Sequence, residues 1–188
     1  MINNINTALK NAHHVQKVKL IAGLILAKEA PADEIKACMC SEFGDTDYSS
    51  MTIDFDYTDY YFKEMGRPLW RKFFSFRDLI DPTRLPAVKN ITRKIEDKFS
   101  IGGNRTVNID PGYLEPAKLV LASTKNFYHR IYIGDGIYAE VTLYWEKREF
   151  RTHKWTFPDY SSEIYRDILK QIREIYMKQY RSTAEKQG

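Results

Sequence analysis

The run Lys19-Leu20-Ile21-Ala22-Gly23-Leu24-Ile25-Leu26-Ala27 does most to narrow what this chain can fold into. A strand with one wet face alternates apolar and polar residues, whereas a strand covered on both faces does not. The unbroken run therefore predicts a central strand. Its apolar part, Leu20 to Ala27, is far shorter than the ~20 residues a membrane-crossing helix needs.

The remaining pattern punctuates itself. Pro31 opens a helix that Phe43-Gly44 closes. Met51, Ile53, Phe55 and Tyr57 alternate with Thr52, Asp54, Asp56 and Thr58, which predicts a strand with one acidic face. Gly66-Arg67-Pro68 breaks the pattern, and Trp70 to Phe76 predicts a further strand. Asp81-Pro82 reads as a cap and first helical position, with Pro86 as an alternative start. Val88, Ile91, Ile95 and Phe99 give that helix a core face before Gly102-Gly103. Thr106 to Ile109 predicts a short strand, and Pro116 a short helix to about Lys125. Strands follow at Phe127 to Ile133, Ile137 to Trp145 and Phe150 to Phe157. Ser161 or Ser162 caps a last helix whose inner face is Ile164, Ile168, Ile172, Ile175 and Tyr176.

This order predicts an α+β protein: a ferredoxin-like split βαβ core, extended by a C-terminal antiparallel hairpin or meander and a terminal helix. One domain is expected over residues 18–181. Residues 1–17 are polar and Asn-rich and are expected to form a flexible N-terminal extension, with His13 and His14 solvated.

Composition excludes several classes. Apolar residues make up 43% and charged residues 29%, which is globular and not disordered. A net charge of +4 permits an anionic partner, but no Lys/Arg run forms a dedicated nucleic-acid arm. Cys38 and Cys40 stand two apart on a predicted helix and so point to different sides, which argues against a disulfide or a zinc pair. That fits a reducing, cytoplasmic setting, as does the lack of a signal-peptide pattern at the start. GxxxxGK[ST], GxGxxG, GxSxG, HExxH and paired CxxC are all absent.

Candidate site residues concentrate between Val107 and Leu143. A three-residue Gly134-Asp135-Gly136 loop would set Ile133 against Ile137, Ile131 against Ala139, Tyr132 against Tyr138 and Arg130 against Glu140. His129, Ile131 and Val141 then share an apolar face, and Arg130 and Glu140 form an ion pair on the other. A helix from Pro116 would line up Lys118 and Lys125 two turns apart, suited to a phosphate or carboxylate. Asp54, Asp56 and Asp59 form an acidic set suited to a hard cation such as magnesium. Asp110 belongs to an Asn108-Ile109-Asp110-Pro111-Gly112-Tyr113 turn beside them. The candidates for acid–base chemistry are Asp56, Asp110 and Glu140. Those for ligand contact are Tyr57, Tyr61, Asn108, Tyr113, Lys118, Lys125, His129 and Arg130.

FDYTDYY at Phe55 to Tyr61, NIDPGYL at Asn108 to Leu114 and HRIYIGDGIYAEVTL at His129 to Leu143 resemble a family. It is the bacterial domain-of-unknown-function family numbered 4416. KLIAGLILA from Lys19 and WTFPDY at Trp155 to Tyr160 extend the resemblance over roughly residues 17 to 180. It implies a stand-alone cytosolic protein and brings no catalytic residues with it. Two functional readings stay open. One is an enzyme or sensor that takes a small anionic, nucleotide- or phosphate-like ligand with a divalent cation. The other is a module that binds RNA or a protein on an aromatic, mildly basic sheet face. Convergence of the acidic and basic sets on one concave pocket would favour the first.

Overall fold

The computed structural model describes residues 15–184; the polar stretch 1–14, with His13 and His14, lies outside the described residues. In chain order the elements are β1 (Val18–Leu26), α1 (Ala32–Phe43), β2 (Thr46–Ser49), β3 (Ile53–Asp54), α2 (Phe62–Met65), β4 (Trp70–Ile80) and α3 (Leu85–Lys98). They continue with β5 (Val107–Leu114), β6 (Lys118–Ser123), β7 (Ile131–Gly134), β8 (Ile137–Glu146), β9 (Glu149–Thr152) and α4 (Glu163–Ala184). The strands form one mixed-length antiparallel sheet in the order β2-β4-β1-β5-β6-β8-β7, with β3 also on β4 and β9 also on β8. The protein is α+β. No helix among the described residues is long and apolar enough to cross a membrane.

β1 is central, as its sequence predicts, and every residue in it is buried. Leu20, Ala22, Leu24 and Leu26 face a core closed by Ile35 and Met39 of α1 and by Val88 and Ile95 of α3. Ile21 faces a second core, on the opposite side, closed by Tyr165, Ile168, Leu169 and Ile172 of α4. The sheet is thus the middle of three layers, which is why one strand carries apolar residues on both faces. Lys19 is buried within it, held by Asp47 and by the Phe76 carbonyl at 2.9 Å.

Both helix-start expectations near residue 82 hold. Asp81 Oδ1 accepts from Thr83 N at 2.8 Å and opens a 3₁₀ turn, and α3 proper follows with Pro86 in its first turn. Ser162, not Ser161, caps α4, its Oγ accepting from Tyr165 N at 3.4 Å. Ile164 is exposed, and the buried stripe runs instead through Tyr165, Ile168, Leu169, Ile172 and Tyr176.

Four expectations are corrected. Residues 51–58 pair with β4 only at Ile53–Asp54, then peel from the sheet edge into a 3₁₀ turn at Asp59–Tyr61 capped by Thr58. The segment Lys118 to Ser123 is a strand, not a helix; its apolar Leu119 to Ala122 is buried between β5 and β8. The strand after Phe127 begins only at Ile131. Asp110-Pro111-Gly112 is not a turn but the middle of β5, paired residue for residue with Gly23, Ala22 and Ile21 of β1.

That last correction shapes the molecule. β5 pairs with β6 only over Gly112 to Leu114. The Ile109 N–H bonds to a side chain of α3 and not to a strand, so odd positions of β5 turn their backbone groups toward β6. Pro111 is the next odd position after Tyr113, and it has no N–H to offer, so the ladder stops there. Gly112 is needed one residue on, because a Cβ there would stand 2.3 Å from the Val120 carbonyl oxygen. Beyond Pro111 the two strands part.

Candidate functional site

The parting of β5 from β6 opens a cleft of about 540 Å³. Asn108 and Asp110 of β5 form one wall, and Leu121 to Lys125 with Arg130 and Glu140 form the other. Lys89, Arg93 and Glu96 reach in from α3, and two aromatic segments, Tyr57 to Tyr61 and Phe157 to Tyr160, complete the enclosure. The backbone edge of β5 that β6 leaves unpaired is satisfied by α3: Glu96 Oε1 accepts from Ile109 N at 2.6 Å, and Lys89 Nζ donates to the Ile109 carbonyl at 2.7 Å. Burial raises the Glu96 pKa above the ordinary carboxylate range, with Lys89 opposing that shift.

Arg71 anchors the floor. It projects from β4 and is 1% exposed. Its Nη1 donates to Asp110 Oδ2 at 3.1 Å, its Nη2 to Asp159, and its Nε to the Tyr165 hydroxyl at 3.1 Å. The rings of Phe55, Phe73, Tyr160 and Tyr165 surround its guanidinium, each centroid 5.4 Å away. Burial opposes the charge, but Tyr160, Asp110, Tyr165 and Asp159 outweigh it and hold the pKa above the usual arginine value. Gly23 of β1 leaves the room this requires; a Cβ there would lie 3.0 Å from the Tyr160 hydroxyl and 3.1 Å from Arg71 Nη1.

A chain of hydrogen bonds continues from that anchor. Asn108 Nδ2 donates to Asp110 Oδ1 at 2.9 Å, and Arg105 Nη1 donates to Asn108 Oδ1 at 2.9 Å. Arg105 also grips Glu64 bidentately, at 2.8 and 2.7 Å. Its hydrogen bonds hold the Glu64 carboxyl below the ordinary carboxylate range. Across the cleft, Arg130 Nε donates to Glu140 Oε2 at 2.7 Å, and its Nη1 to Ser123 Oγ at 2.9 Å. His129 stands behind this pair with Nε2 3.0 Å from Glu140 Oε2, its ring stacked on Trp155.

The hairpin register expected from sequence is found at Ile131↔Ala139 and Tyr132↔Tyr138. The closing pair differs, being Gly134↔Ile137 around a two-residue turn in which Asp135 (φ 51°) and Gly136 (φ 74°) both take left-handed backbone. His129 is not on the apolar face with Val141; it precedes β7 and turns toward Glu140.

Of the residues expected at the site, Tyr57, Tyr61, Asn108, Asp110, Lys125, Arg130 and Glu140 line the cleft. Others do not. Tyr113 packs on the opposite side of β5 among core residues near α3, where burial lifts its pKa to about 12. Lys118 pairs with Glu115 at 2.7 Å, away from Lys125, because the helix that was to align them is a strand. Asp54 and Asp56 are exposed, and Asp59 pairs with Arg67 at 2.9 Å. Among the described residues no three His, Cys, Asp or Glu side chains stand close enough to hold a metal ion, so Asp54, Asp56 and Asp59 are not the cluster expected of them.

Arg71, Arg105, Asp159, Tyr160, Lys89 and Glu96 went unread in the sequence. Arg71 carried a signal, since it shares a strand face with Phe73, where an unpaired charge would be too costly. Lys89 and Glu96 stand seven apart beside Val88, Thr92 and Ile95, a polar pair on the inward stripe of a helix.

Fold and site together define a three-layer α+β protein with a cleft at a break in its sheet. Residues 16–176 match the family described as Domain of unknown function (DUF4416), and the chain belongs to that family. No curated protein and no solved structure matches it.

Proposed function

We propose that the cleft binds a small anionic ligand of nucleotide or phosphate-like type. The carrying observation is the state of its cations. Arg71, Arg105 and Arg130 are each paired with carboxylates of the protein. Lys125 and Arg93, both exposed, have no carboxylate partner among the described residues; Lys125 Nζ donates to the Tyr60 hydroxyl at 2.9 Å, and Arg93 reaches only Asn90. Unneutralised positive charge therefore stands at the mouth of a half-open, aromatic-lined cleft of ligand size. Tyr57, Tyr60 and Phe157 offer ring faces there.

Asp110 accepts from Arg71 and Asn108, and Glu140 from Arg130 and Thr142, so both oxygens of each carboxylate are engaged, which supports a positioning role for both. Asp56 lies outside the cleft-lining set. Magnesium would enter with the phosphates of a ligand, since the described residues gather no carboxylate trio for it. Helices cover the central strands on both faces, which favours a ligand cleft over an RNA- or protein-binding sheet face. The sheet order β2-β4-β1-β5 supports reading the first half as a ferredoxin-like split βαβ unit. The free thiols of Cys38 and Cys40 fit a cytoplasmic location.

The test is a thermal-shift screen of nucleotides, sugar phosphates and inorganic phosphate, with and without magnesium. A ligand at a hundredfold excess over Kd adds ~2.7 kcal/mol, which for a domain of this size is a rise of several degrees. No shift with any of them, together with salt-sensitive retention on RNA, would replace this reading with RNA binding.

A further inference from the structure

The deep end of the cleft differs chemically from its mouth. Arg71 is balanced there by Asp110 and Asp159, so an anion entering that end would meet two carboxylates as well as the guanidinium. What is unspent at that depth is a neutral group. Tyr160 lines the cleft, and its buried hydroxyl has no hydrogen-bond partner among the described residues. A buried hydroxyl left unpaired is costly, and native proteins almost always satisfy one. Tyr61, whose hydroxyl also makes no hydrogen bond to the described residues, lines the same space, and burial together with Asp110 keeps its phenol protonated.

Resting on the ligand-binding reading above, we propose that Tyr160 is a specificity-determining residue. Its hydroxyl hydrogen-bonds the neutral, planar end of the ligand, which enters first, while the anionic group stays at the mouth on Lys125. The ligand class is a phosphorylated ring compound with hydrogen-bonding groups on the ring, for which nucleoside 5′-monophosphates are the simplest probes. Tyr57 and Phe157, exposed aromatic residues that line the cleft, supply faces for the ring. A cationic deep end would favour the reverse orientation, but here the single Arg71 guanidinium already faces two carboxylates, Asp110 and Asp159.

Calorimetric titration of the full chain tests this with four nucleoside 5′-monophosphates, the corresponding nucleosides, ribose 5-phosphate and inorganic phosphate. At least one monophosphate should bind more tightly than ribose 5-phosphate. Tyr160→Phe, which removes only the hydroxyl, should weaken that monophosphate roughly tenfold, leave ribose 5-phosphate binding unchanged and leave the ligand-free melting temperature no lower than that of wild type, because the hydroxyl has no partner there to lose. Lys125→Ala should weaken every phosphate and spare the nucleoside. If ribose 5-phosphate binds as tightly as the monophosphates, or Tyr160→Phe binds them as wild type does, this inference falls and the anion reading stands. If wild type binds none of the probes, both fall. Should Tyr160→Phe not fold, the wild-type preference and Lys125→Ala decide the matter.

Discussion

Glu96 accepts a hydrogen bond from the backbone N–H of Ile109 at 2.6 Å, taking the place of a neighbouring strand. With Lys89 on the Ile109 carbonyl, two side chains of one helix satisfy the stretch of sheet edge that β6 abandons. An open edge inside a protein would otherwise strand its backbone groups. Glu96→Ala should therefore cost about 1–3 kcal/mol and speed hydrogen exchange at the Ile109 amide. Glu96→Gln keeps an acceptor and should lose less; equal losses would show that the bond is not what stabilises this edge.

Arg71 is the second prediction. Replacing it with Met leaves Asp110 and Asp159 facing each other without a counter-charge, which should cost about 3–5 kcal/mol in urea unfolding. Arg71→Lys should recover little, because an ammonium cannot reach both carboxylates and the Tyr165 hydroxyl with a planar fork. Full recovery by Lys would mean that charge alone matters here.

Gly112→Ala puts a methyl group 2.3 Å from the Val120 carbonyl oxygen and 2.6 Å from a Leu121 methyl. The β5–β6 ladder is only three residues long, so β6 must yield. The expected loss is about 1–3 kcal/mol, with weaker anion binding because β6 is a wall of the cleft. An alanine variant as stable as wild type would show that the strands tolerate wider separation.

The turn between β8 and β9 holds strain that can be removed. Lys147 (φ 50°) and Arg148 (φ 67°) are both left-handed without being glycine. Arg148→Gly should raise stability by about 1 kcal/mol, read as a higher melting temperature. A lower one would mean that the arginine makes contacts worth more than the strain.

His153 gives a pH dependence. Burial lowers its pKa below the ordinary 6.5, so the unfolded chain binds a proton more readily. Stability is thus lost as pH falls through the window below 6.5. The ring is stacked on Trp155 at 4.5 Å. His153→Phe, which keeps a ring and cannot titrate, should lose less stability than wild type between about pH 7.5 and pH 5. Parallel curves for the two proteins would assign the acid sensitivity to other groups.

Much of the frame was legible because it follows from local rules. The doubly buried Leu20 to Ala27, the cap at Asp81, a serine cap at Ser161 or Ser162 and the hairpin about Gly134-Asp135-Gly136 each announce themselves over a few residues, although the turn of that hairpin holds two residues and not the three expected. The failures share a cause: tertiary context outvoted local chemistry. Asp-Pro-Gly favours a turn, yet β1 supplies a partner for each of its residues, and the proline's missing donor falls on the side where no strand is paired. Pro116 suggested a helix start, but Leu119 to Ala122 is buried between two strands. At the site, Lys125, Arg130 and Glu140, together with Tyr57, Tyr61, Asn108 and Asp110, were expected as candidates and line the cleft, but not the contacts that hold them, the Arg130–Glu140 pair apart. Arg71, Asp110 and Asp159 meet only through the sheet and a loop far along the chain, which no spacing records.

Pro111 and Gly112 give adjacent, opposed instructions: one forbids the neighbouring strand, the next requires it within touching distance. The opening is therefore written into the main chain rather than into the side chains that decorate it. Arg93, Lys125, Tyr57 or Phe157 can be exchanged without closing it, and no exchange among them can close it. Container and contents are separately editable, so relatives that keep this Pro-Gly pair are expected to keep the receptacle even where they have refitted it for a different guest.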